Sequence, residues 1–410
     1  MVRPAALTIC LLCAFVFASP ATAELTVGIA RRNITPDYPI RLSGYGGRSA
    51  VSTGVDQPIW AKALAFETGS TNAAVLITVD NCGVPLAVRQ RVLHQLKSRF
   101  RLPRAHLAIA SSHTHNAPML SGVLPNLFSQ DLTPAEQGTI ERYTRELTAA
   151  LVAVAAEALT NRVSARLAWG IGTAQLAENR RHGGGPTDDD LPVLRVTAPD
   201  GKILAVLANY ACHCTAISGT FNRIGGDWAG YAQSELEKRF PGATALIAIG
   251  CAGDQRPAKR FGLELAQAQG AAMADIIARK LEDPSLTALK SLPECRLTDT
   301  SLPFARPRTR EEWTVLSQSP SLPTAYHARK NLARLARGEA LPAEIPYPVQ
   351  SWAFGRDLLM VFLPGEVVVD YAVRLKREFD VRRVWVNAYA NDVPSYIPSD
   401  RVLREGGYEG

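Results

Sequence analysis

The residues that could carry chemistry are concentrated at the ends of short apolar runs. In the segment 107–118, the run LAIA is followed by two serines and then by His113, Thr114 and His115. Residues two apart on an extended segment point to the same side, so both imidazoles are predicted to face one cleft. Two imidazoles at the end of a buried strand favour a metal site or a proton relay. The alternative interpretation is a pair of loop histidines that only cap the strand.

Three other apolar runs end in polar groups of the same kind. The run 203–210 leads to His213, and the run 243–249 leads to Asp254. A third run leads to Glu366, which is predicted to begin a helix. Polar groups at strand ends are where α/β proteins usually place their sites. The remaining histidines stand in helical, charged or glycine-rich contexts and are predicted to lie at the surface: His94, His106, His182 and His327.

The elements that must position these residues alternate along the chain. Apolar runs predict strands over residues 25–30, 61–67, 73–79, 107–110, 163–169, 191–196, 203–210, 243–249 and 384–388, with a hairpin over 352–362. Helical spacing predicts helices over 84–100, 134–159, 228–240, 310–337 and 366–379, with one more ending near residue 282. The predicted class is α/β (mixed α+β), with layered β-sheets flanked by helices in a single large catalytic domain.

Composition narrows the class of protein. The 410-residue chain is 47% hydrophobic, which is enough to bury a large core. Its net charge of +7 is spread along the sequence without a basic stripe or interleaved aromatic residues, which argues against a nucleic-acid partner. Five cysteines follow residue 23, too few for a disulfide scaffold in a chain of this length. An apolar core must therefore supply the stability.

Residues 1–23 have the features of a signal peptide. A basic residue precedes an apolar stretch over residues 5–18, and the sequence Ala21-Thr-Ala23 fits the small-residue cleavage pattern. The apolar stretch is too short for a membrane span, and no later stretch has spanning length. We therefore expect export to the periplasm or the medium, with the functional domain over residues 24–410.

Nine short motifs follow one another over nearly the whole chain after residue 23. They are NITP (33–36), GYG (44–46), SHTHNAP (112–118), NR (179–180), His213, GD (253–254), PGE (364–366), YIPS (396–399) and YEG (408–410). The SHTH element and the two closing tyrosines are the most specific. With this ordered set, the chain resembles the neutral (alkaline, non-lysosomal) ceramidase family, specifically its N-terminal catalytic domain.

The resemblance implies one zinc ion per chain, bound by His113, His213, Glu366 and Tyr396. It places His115 beside the metal as a proton-transfer or substrate-orienting group. It also implies that Arg180 and Tyr408 contact the scissile amide, where they would stabilise the developing oxyanion. In such a site, zinc polarises the amide carbonyl and lowers the pKa of its bound water.

Two further positions are predicted to contact substrate. The glycine-rich turn around Gly44 lacks the spacing of a nucleotide-binding loop, so it is either a tight turn or backbone that approaches a ligand closely. Arg256 stands where ceramidases carry a serine that is sometimes assigned as nucleophile. Its presence excludes a covalent serine mechanism at that position, favours zinc-bound water, and adds a cation suited to an anionic substrate. The sequence ends at Gly410, so the β-sandwich domain that follows in full-length ceramidases is expected to be absent.

The sequence therefore predicts an exported zinc-dependent amidohydrolase that cleaves the N-acyl bond of ceramide or a related N-acyl lipid, within sphingolipid metabolism. Five apolar residues favour a lipid substrate and contact with a membrane surface, although they equally suit a core or a lid: Met119, Leu120, Val123, Leu124 and Leu127. One alternative is a zinc hydrolase of the same fold for a smaller polar amide or ester. The other is a secreted binding protein that has lost turnover.

Overall fold

The computed structural model describes residues 25–67 and 73–410, so the predicted signal peptide lies outside the described residues. The strands are β1 (Leu25–Asn33), β2 (Trp60–Glu67), β3 (Ala74–Val79), β4 (Leu107–Ser111), β5 (Arg162–Thr173), β6 (Ala177–Asn179), β7 (Asp190–Thr197), β8 (Ile203–Tyr210), β9 (Thr244–Ile249), β10 (Gln255–Pro257), β11 (Thr287–Leu289), β12 (Pro293–Thr298), β13 (Ser301–Pro303), β14 (Glu344–Pro346), β15 (Val349–Phe354), β16 (Leu358–Phe362), β17 (Glu366–Val367), β18 (Val384–Asn387) and β19 (Tyr396–Ile397). The helices are α1 (Leu86–Phe100), α2 (Pro134–Thr160), α3 (Asp227–Arg239), α4 (Leu263–Leu281), α5 (Arg310–Leu316), α6 (Leu322–Ala336), α7 (Val369–Phe379) and α8 (Asp400–Glu405).

One large sheet organises the molecule. Its strand order is β4-β3-β2-β1-β5-β7-β8-β9, and β11 also pairs with β5. Most neighbours are antiparallel, but β3 runs parallel to β4, and β8 runs parallel to β9. The two end strands, β4 and β9, lie in contact, so the sheet curls back toward itself. As a result, the carboxyl ends of β4, β8 and β9, which carry the predicted polar groups, come together.

Helices cover one face of this sheet, and a second sheet covers the other. On the helical face, Ile77 of β3 shares an apolar cluster with Val92 of α1 and Leu151 of α2. On the opposite face, Leu76 shares a cluster with Trp352 in the sheet β12-β15-β16-β18. Successive strand residues point to opposite faces, so a strand covered on both sides must be apolar throughout. This explains the continuous apolar runs of β3, β4 and β9, and it confirms the mixed α/β class with layered sheets.

The predicted helix start at residue 134 is confirmed. The Thr133 hydroxyl accepts the N–H of Glu136 at 3.2 Å, and the Glu136 carboxylate accepts the N–H of Thr133 at 2.9 Å. This reciprocal capping box satisfies backbone donors that the first helical turn leaves open. The predicted hairpin over residues 352–362 is also present, as β15 and β16. No described helix combines the length and the apolar composition needed to cross a membrane.

Two helix predictions are wrong in their bounds. The segment 310–337 forms two helices, α5 and α6, because Pro320 lacks the N–H that a continuous helix would need there. Glu366 does not begin a helix but lies in β17, which pairs in parallel with β19. The preceding Gly365 has a φ of +86°, which turns the backbone away from a helical path. Helix α7 begins only at Val369.

Candidate metal centre and active site

His113 leaves β4 through a turn rather than along an extended strand. β4 ends at Ser111, whose N–H donates to the carbonyl of Tyr389 at 3.1 Å. His113 then adopts a left-handed conformation with a φ of 54°. The Nε2 atoms of His113 and His115 nevertheless lie 3.1 Å apart. Both rings therefore face one cleft, although the alternation of an extended strand is not the reason.

His213 reaches the same point from the end of β8. Its N–H donates to the carbonyl of Gln255 at 3.2 Å, and its carbonyl accepts the indole N–H of Trp228 at 2.9 Å. Thr114 and Cys214 form an isolated parallel bridge that joins the two histidine loops. Backbone hydrogen bonds therefore hold both imidazoles in place.

The Nε2 atoms of His113 and His213 both face the carboxylate of Glu366. Nδ1 of His113 lies 2.6 Å from the carbonyl oxygen of Cys82, and Nδ1 of His213 lies 2.6 Å from that of Ala252. A carbonyl only accepts hydrogen bonds, so each Nδ1 carries a hydrogen and each Nε2 faces inward, where its deprotonated form offers a lone pair. Oε2 of Glu366 lies 3.2 Å from both Nε2 atoms. Three electron-pair donors thus meet at one point.

This group fits a divalent metal ion. The three ligand atoms of His113, His213 and Glu366 all lie within 4.8 Å of one another. With bonds of about 2.0–2.1 Å, two ligands of a tetrahedral zinc ion are separated by about 3.3 Å. The distance of 3.2 Å from Glu366 to each histidine is close to that value. The three side chains are buried, so an ion here would be largely shielded from solvent.

The charges in the cluster also suit a cation. Burial alone would raise the pKa of Glu366, but its contacts with His113 and His213 hold it well below its usual value. Burial alone would lower the pKa of His113, but the neighbouring Cys82 and Glu366 groups raise it above its usual value. The metal-free cluster therefore keeps an ionised carboxylate beside an imidazole that holds a proton readily. A divalent cation can take the place of that proton.

The glycine-rich turn holds His115 beside this cluster. The ring of Tyr45 lies edge-on to the His115 ring, with 4.8 Å between ring centroids. Gly44 has a φ of +87°, and a Cβ added to it would lie 2.3 Å from Cγ of His115. Burial, and then the charges of His113 and His213, lower the pKa of His115 well below its usual value. The turn thus brings its backbone against a side chain of the site, and direct contact of Gly44 with substrate stays a prediction.

A buried cation fixes the same turn. Arg48 donates to four backbone carbonyls, those of Ser43, His115, Gly219 and Phe221. It forms no ion pair with any residue in the part of the chain that the structure describes. Burial lowers the pKa of Arg48 to about 10. Arg48 therefore ties the His115 segment to two neighbouring loops through hydrogen bonds rather than ion pairs.

Arg180 connects three parts of the predicted site. One of its terminal nitrogens donates to the Tyr396 hydroxyl at 3.0 Å and to the Gly253 carbonyl at 2.8 Å. Its Nε donates to Glu409 at 2.8 Å. The backbone N–H of Arg180 donates to the carbonyl of Asp254, also at 2.8 Å. These contacts fix the guanidinium on the Tyr396 side of the site.

The two predicted tyrosines differ in burial. Tyr396 lies directly opposite Glu366 in the β17–β19 pair, so it is beside the cluster. The ring of Tyr408 is 5.3 Å from that of Tyr396 and 5.5 Å from the Arg180 guanidinium. Tyr408 is 78% exposed, so it forms the solvent-facing rim of this region.

Arg256 carries a partly neutralised charge. Its Nε donates to the carboxylate of Glu178 at 2.8 Å, and the side chains are 32% and 45% exposed. Strand β10 pairs Arg256 with Glu178 and the adjacent Gln255 with Asn179, next to Arg180. The extra cation expected from the sequence is therefore present at this edge, but it is compensated by a carboxylate.

We expect the Arg256–Glu178 pair to tune the preference between anionic and neutral amides. Arg256→Ala should lower the ratio of kcat/KM for an anionic over a neutral amide by about two- to fivefold, because exposed ion pairs contribute little more than this. Glu178→Gln, which frees the guanidinium, should raise the same ratio. Unchanged ratios in both variants would contradict a role for Arg256 in substrate selection.

The apolar segment after His115 is core and not a pocket mouth. Met119, Leu120 and Val123 are 1–3% exposed and share a cluster with α1 and α2, and Leu124 and Leu127 pack against it. Of the interpretations offered by the sequence, a buried core is therefore correct. These residues give no argument for a lipid substrate.

Sequence reasoning missed three residues that contact the site. Tyr389 stacks on His113, Cys82 Sγ lies 3.7 Å from Nδ1 of His113, and Glu409 pairs with both Arg180 and Arg181. Glu409 stands inside the YEG motif. Cys82 and Tyr389 follow the ends of predicted strands, just as the histidines do. The rule that polar groups at strand ends build the site would have identified both.

The sequence of this chain is similar to those of known ceramidases. The sequence profile described as neutral/alkaline non-lysosomal ceramidase, N-terminal, matches residues 25–252. Neutral ceramidase A of Dictyostelium discoideum is 21% identical over 239 residues, which cover 55% of this chain and 33% of that protein. This chain thus matches about a third of the length of that relative.

Two solved structures have the same fold. The crystal structure of neutral ceramidase from Pseudomonas aeruginosa superposes with a TM-score of 0.73 at 18% identity, covering 95% of this chain and 71% of that chain. A structure described as ceramidase complexed with C2 superposes with a TM-score of 0.74 at 17% identity, covering 95% and 72%. At these identities the likeness concerns the fold.

Proposed function

Because this chain belongs to the neutral/alkaline non-lysosomal ceramidase family, we propose that it is an exported zinc-dependent amidohydrolase. Its substrate is ceramide or a related N-acyl lipid, and the bond cleaved is the N-acyl amide. The family match over more than half of the chain and the relative named neutral ceramidase support this proposal. The solved ceramidase described as a complex with C2 supports a lipid-like amide. Export is supported by the features of residues 1–23.

The observation that carries the proposal is the convergence of three inward-facing electron-pair donors. His113 and His213 each donate a hydrogen bond from Nδ1 to a backbone carbonyl. Both Nε2 atoms and the Glu366 carboxylate are therefore available to one ion. Tyr396 is the proposed fourth ligand because it lies opposite Glu366 in the β17–β19 pair. Nitrogen and oxygen ligands of this kind suit zinc, and one ion per chain is expected.

The surrounding residues have complementary roles. A zinc ion held here would polarise the amide carbonyl and activate a water molecule. Arg180 presents a positive charge beside Tyr396, where it can stabilise the oxygen that becomes negative during attack. Tyr408, at the rim, is the second proposed contact of the amide. Nδ1 of His115 has no partner among the described residues, so this neutral ring can take a proton from the attacking water and pass it to the leaving amine.

A smaller polar or anionic amide is the second candidate substrate. The observation that favours it is the group of arginines near the site, in which Arg256 and Arg180 both act on the charge of Arg260. Arg260 forms no ion pair with the residues that the structure describes, although the carboxylate of Glu178 also acts on its charge. A substrate that carries a carboxylate would complement this group of arginines.

Metal content and hydrolysis together test the proposal. Purified protein should contain about one zinc ion per chain, and it should cleave a fluorogenic N-acyl sphingosine. Chelation should abolish hydrolysis, and added zinc should restore it. An N-acyl amino acid, tested in parallel, serves as the polar amide.

Each result leads to a different conclusion. Cleavage of the polar amide alone would support the proposed metal centre, but it would identify a polar amide, and not ceramide, as the substrate. Zinc binding without turnover of either amide would indicate a binding protein that has lost catalysis. Absence of bound metal would overturn the proposed mechanism.

A further inference from the structure

Tyr389 is a buried tyrosine of the metal centre to which the proposed mechanism assigns no role. It follows β18 and is 1% exposed. Its ring stacks on that of His113, with centroids 4.2 Å apart and 30° between the ring planes. The same ring lies edge-on to that of His213 at 6.0 Å. Tyr389 therefore lies against two of the three residues that can hold the ion.

The backbone of Tyr389 is fixed in an unusual conformation. Its φ of 51° is left-handed, which bulky L-residues rarely adopt. Its N–H donates to the Gly365 carbonyl at 3.0 Å, and its carbonyl accepts the N–H of Ser111 at 3.1 Å. These bonds join the segment before Glu366 to the segment before His113. Strained residues held by their surroundings in this way cluster at functional sites.

The hydroxyl of Tyr389 has no hydrogen-bond partner in residues 25–67 and 73–410, although it is shielded from solvent. Two equally buried tyrosines away from the cluster are satisfied, since Tyr143 donates to Ile34 at 2.9 Å and Tyr210 donates to Ala174 at 3.0 Å. Buried polar atoms in native proteins nearly always have a partner, so an orphaned one beside a candidate site needs an explanation, and a bound water molecule, ion or ligand supplies one.

We propose that the Tyr389 hydroxyl is a further catalytic group, which would donate a hydrogen bond to the oxygen of a water molecule or substrate held at the metal centre. The proposal rests on the proposed function, because it requires an ion held by His113, His213 and Glu366. Tyr408, which the family resemblance assigns to the amide, is 78% exposed and lies at the rim. Tyr389 is the tyrosine that lies inside, against the ligands themselves.

Tyr389→Phe tests the proposal because it keeps the stacked ring and removes only the hydroxyl. The Tm of the metal-free variant should equal or exceed that of the wild type, because an unpaired buried hydroxyl is lost. With zinc bound, the same variant should gain less in Tm than the wild type does. Its zinc dissociation constant should rise about tenfold, as expected from the loss of one hydrogen bond to a charged centre. We expect kcat to fall at least about tenfold, with KM within about twofold.

Tyr143→Phe is the matched control. It removes the hydroxyl of another fully buried tyrosine, whose partner is the Ile34 carbonyl, and should lower Tm equally with and without zinc. If Tyr389→Phe shows the wild-type zinc affinity and the wild-type zinc-induced gain in Tm, Tyr389 only packs on His113 and the proposal is overturned. If the wild type itself binds no metal, the proposed function fails as well, so the two failures are distinguishable.

Discussion

Glu366→Gln is expected to empty the metal centre and to reduce hydrolysis by on the order of 10³-fold, because the electrostatic contribution of a catalytic ion amounts to several kcal/mol. Glutamine preserves the shape of the side chain but removes the negative charge. The remaining proposed ligands are the imidazoles of His113 and His213 and the hydroxyl of Tyr396, and without the carboxylate their affinity for a divalent ion falls. Metal content by mass spectrometry and kcat/KM, measured on the same preparations, check this prediction.

Glu178→Gln is the control for that experiment. Glu178 is also a carboxylate near the site, but it is 45% exposed and pairs with Arg256 rather than with a histidine. This variant should keep the full metal content, and its activity should change by no more than about fivefold. Full metal content in Glu366→Gln would show that the ion is held elsewhere in the protein.

Gly44→Ala is expected to lower kcat by about 10²-fold while leaving the metal in place. The new methyl group would lie 2.3 Å from Cγ and 2.6 Å from Nδ1 of His115, and the φ of +87° disfavours any side chain. Either the imidazole or the turn must therefore shift, and a displacement of about 1 Å at a catalytic group costs about this much in rate. Overpacking should also lower the free energy of unfolding by about 1–3 kcal/mol. Steady-state kinetics, metal content and chemical denaturation measure the three effects.

Gly47→Ala separates this local effect from a general disturbance of the turn. Gly47 belongs to the same glycine-rich segment, but a Cβ added there meets no atom within 4 Å, and its φ is not left-handed. We expect near wild-type kinetics and stability. Equal kinetics for the Gly44 and Gly47 variants would mean that the position of His115 does not matter for turnover.

Parts of the site could be predicted because their signals are local. His113 and His213 each follow an apolar run, and strand-end polar groups are recognisable within about ten residues of sequence. The contact between Gly44 and His115 joins residues from different loops, and no local pattern encodes it. The stacking of Tyr389 on His113 depends on the meeting of β18 and β4, which only the folded chain reveals.

The same distinction between local signals and tertiary contacts applies to the prediction of the fold. The long buried strands and α2 were predictable from apolar runs and from the capping box at Thr133. The pairing of Glu366 with Tyr396 was not, because β17 and β19 have two residues each and are held by their tertiary surroundings. Pro320, which separates α5 from α6, could have been recognised in the sequence as a helix breaker. The charged, helix-like pattern of the segment favoured one continuous helix instead.

The curled sheet also has a kinetic consequence. Together with the β17–β19 pair, it gathers the proposed ligand atoms from distant parts of the chain, and His213 and Glu366 are 153 residues apart. Contacts of such sequence separation form slowly, because a long loop must close before they stabilise anything. No pair of the proposed ligands forms a local motif that could capture an ion earlier. We therefore expect added zinc to slow unfolding and to leave the folding rate unchanged, since the ion binds only after the rate-limiting step.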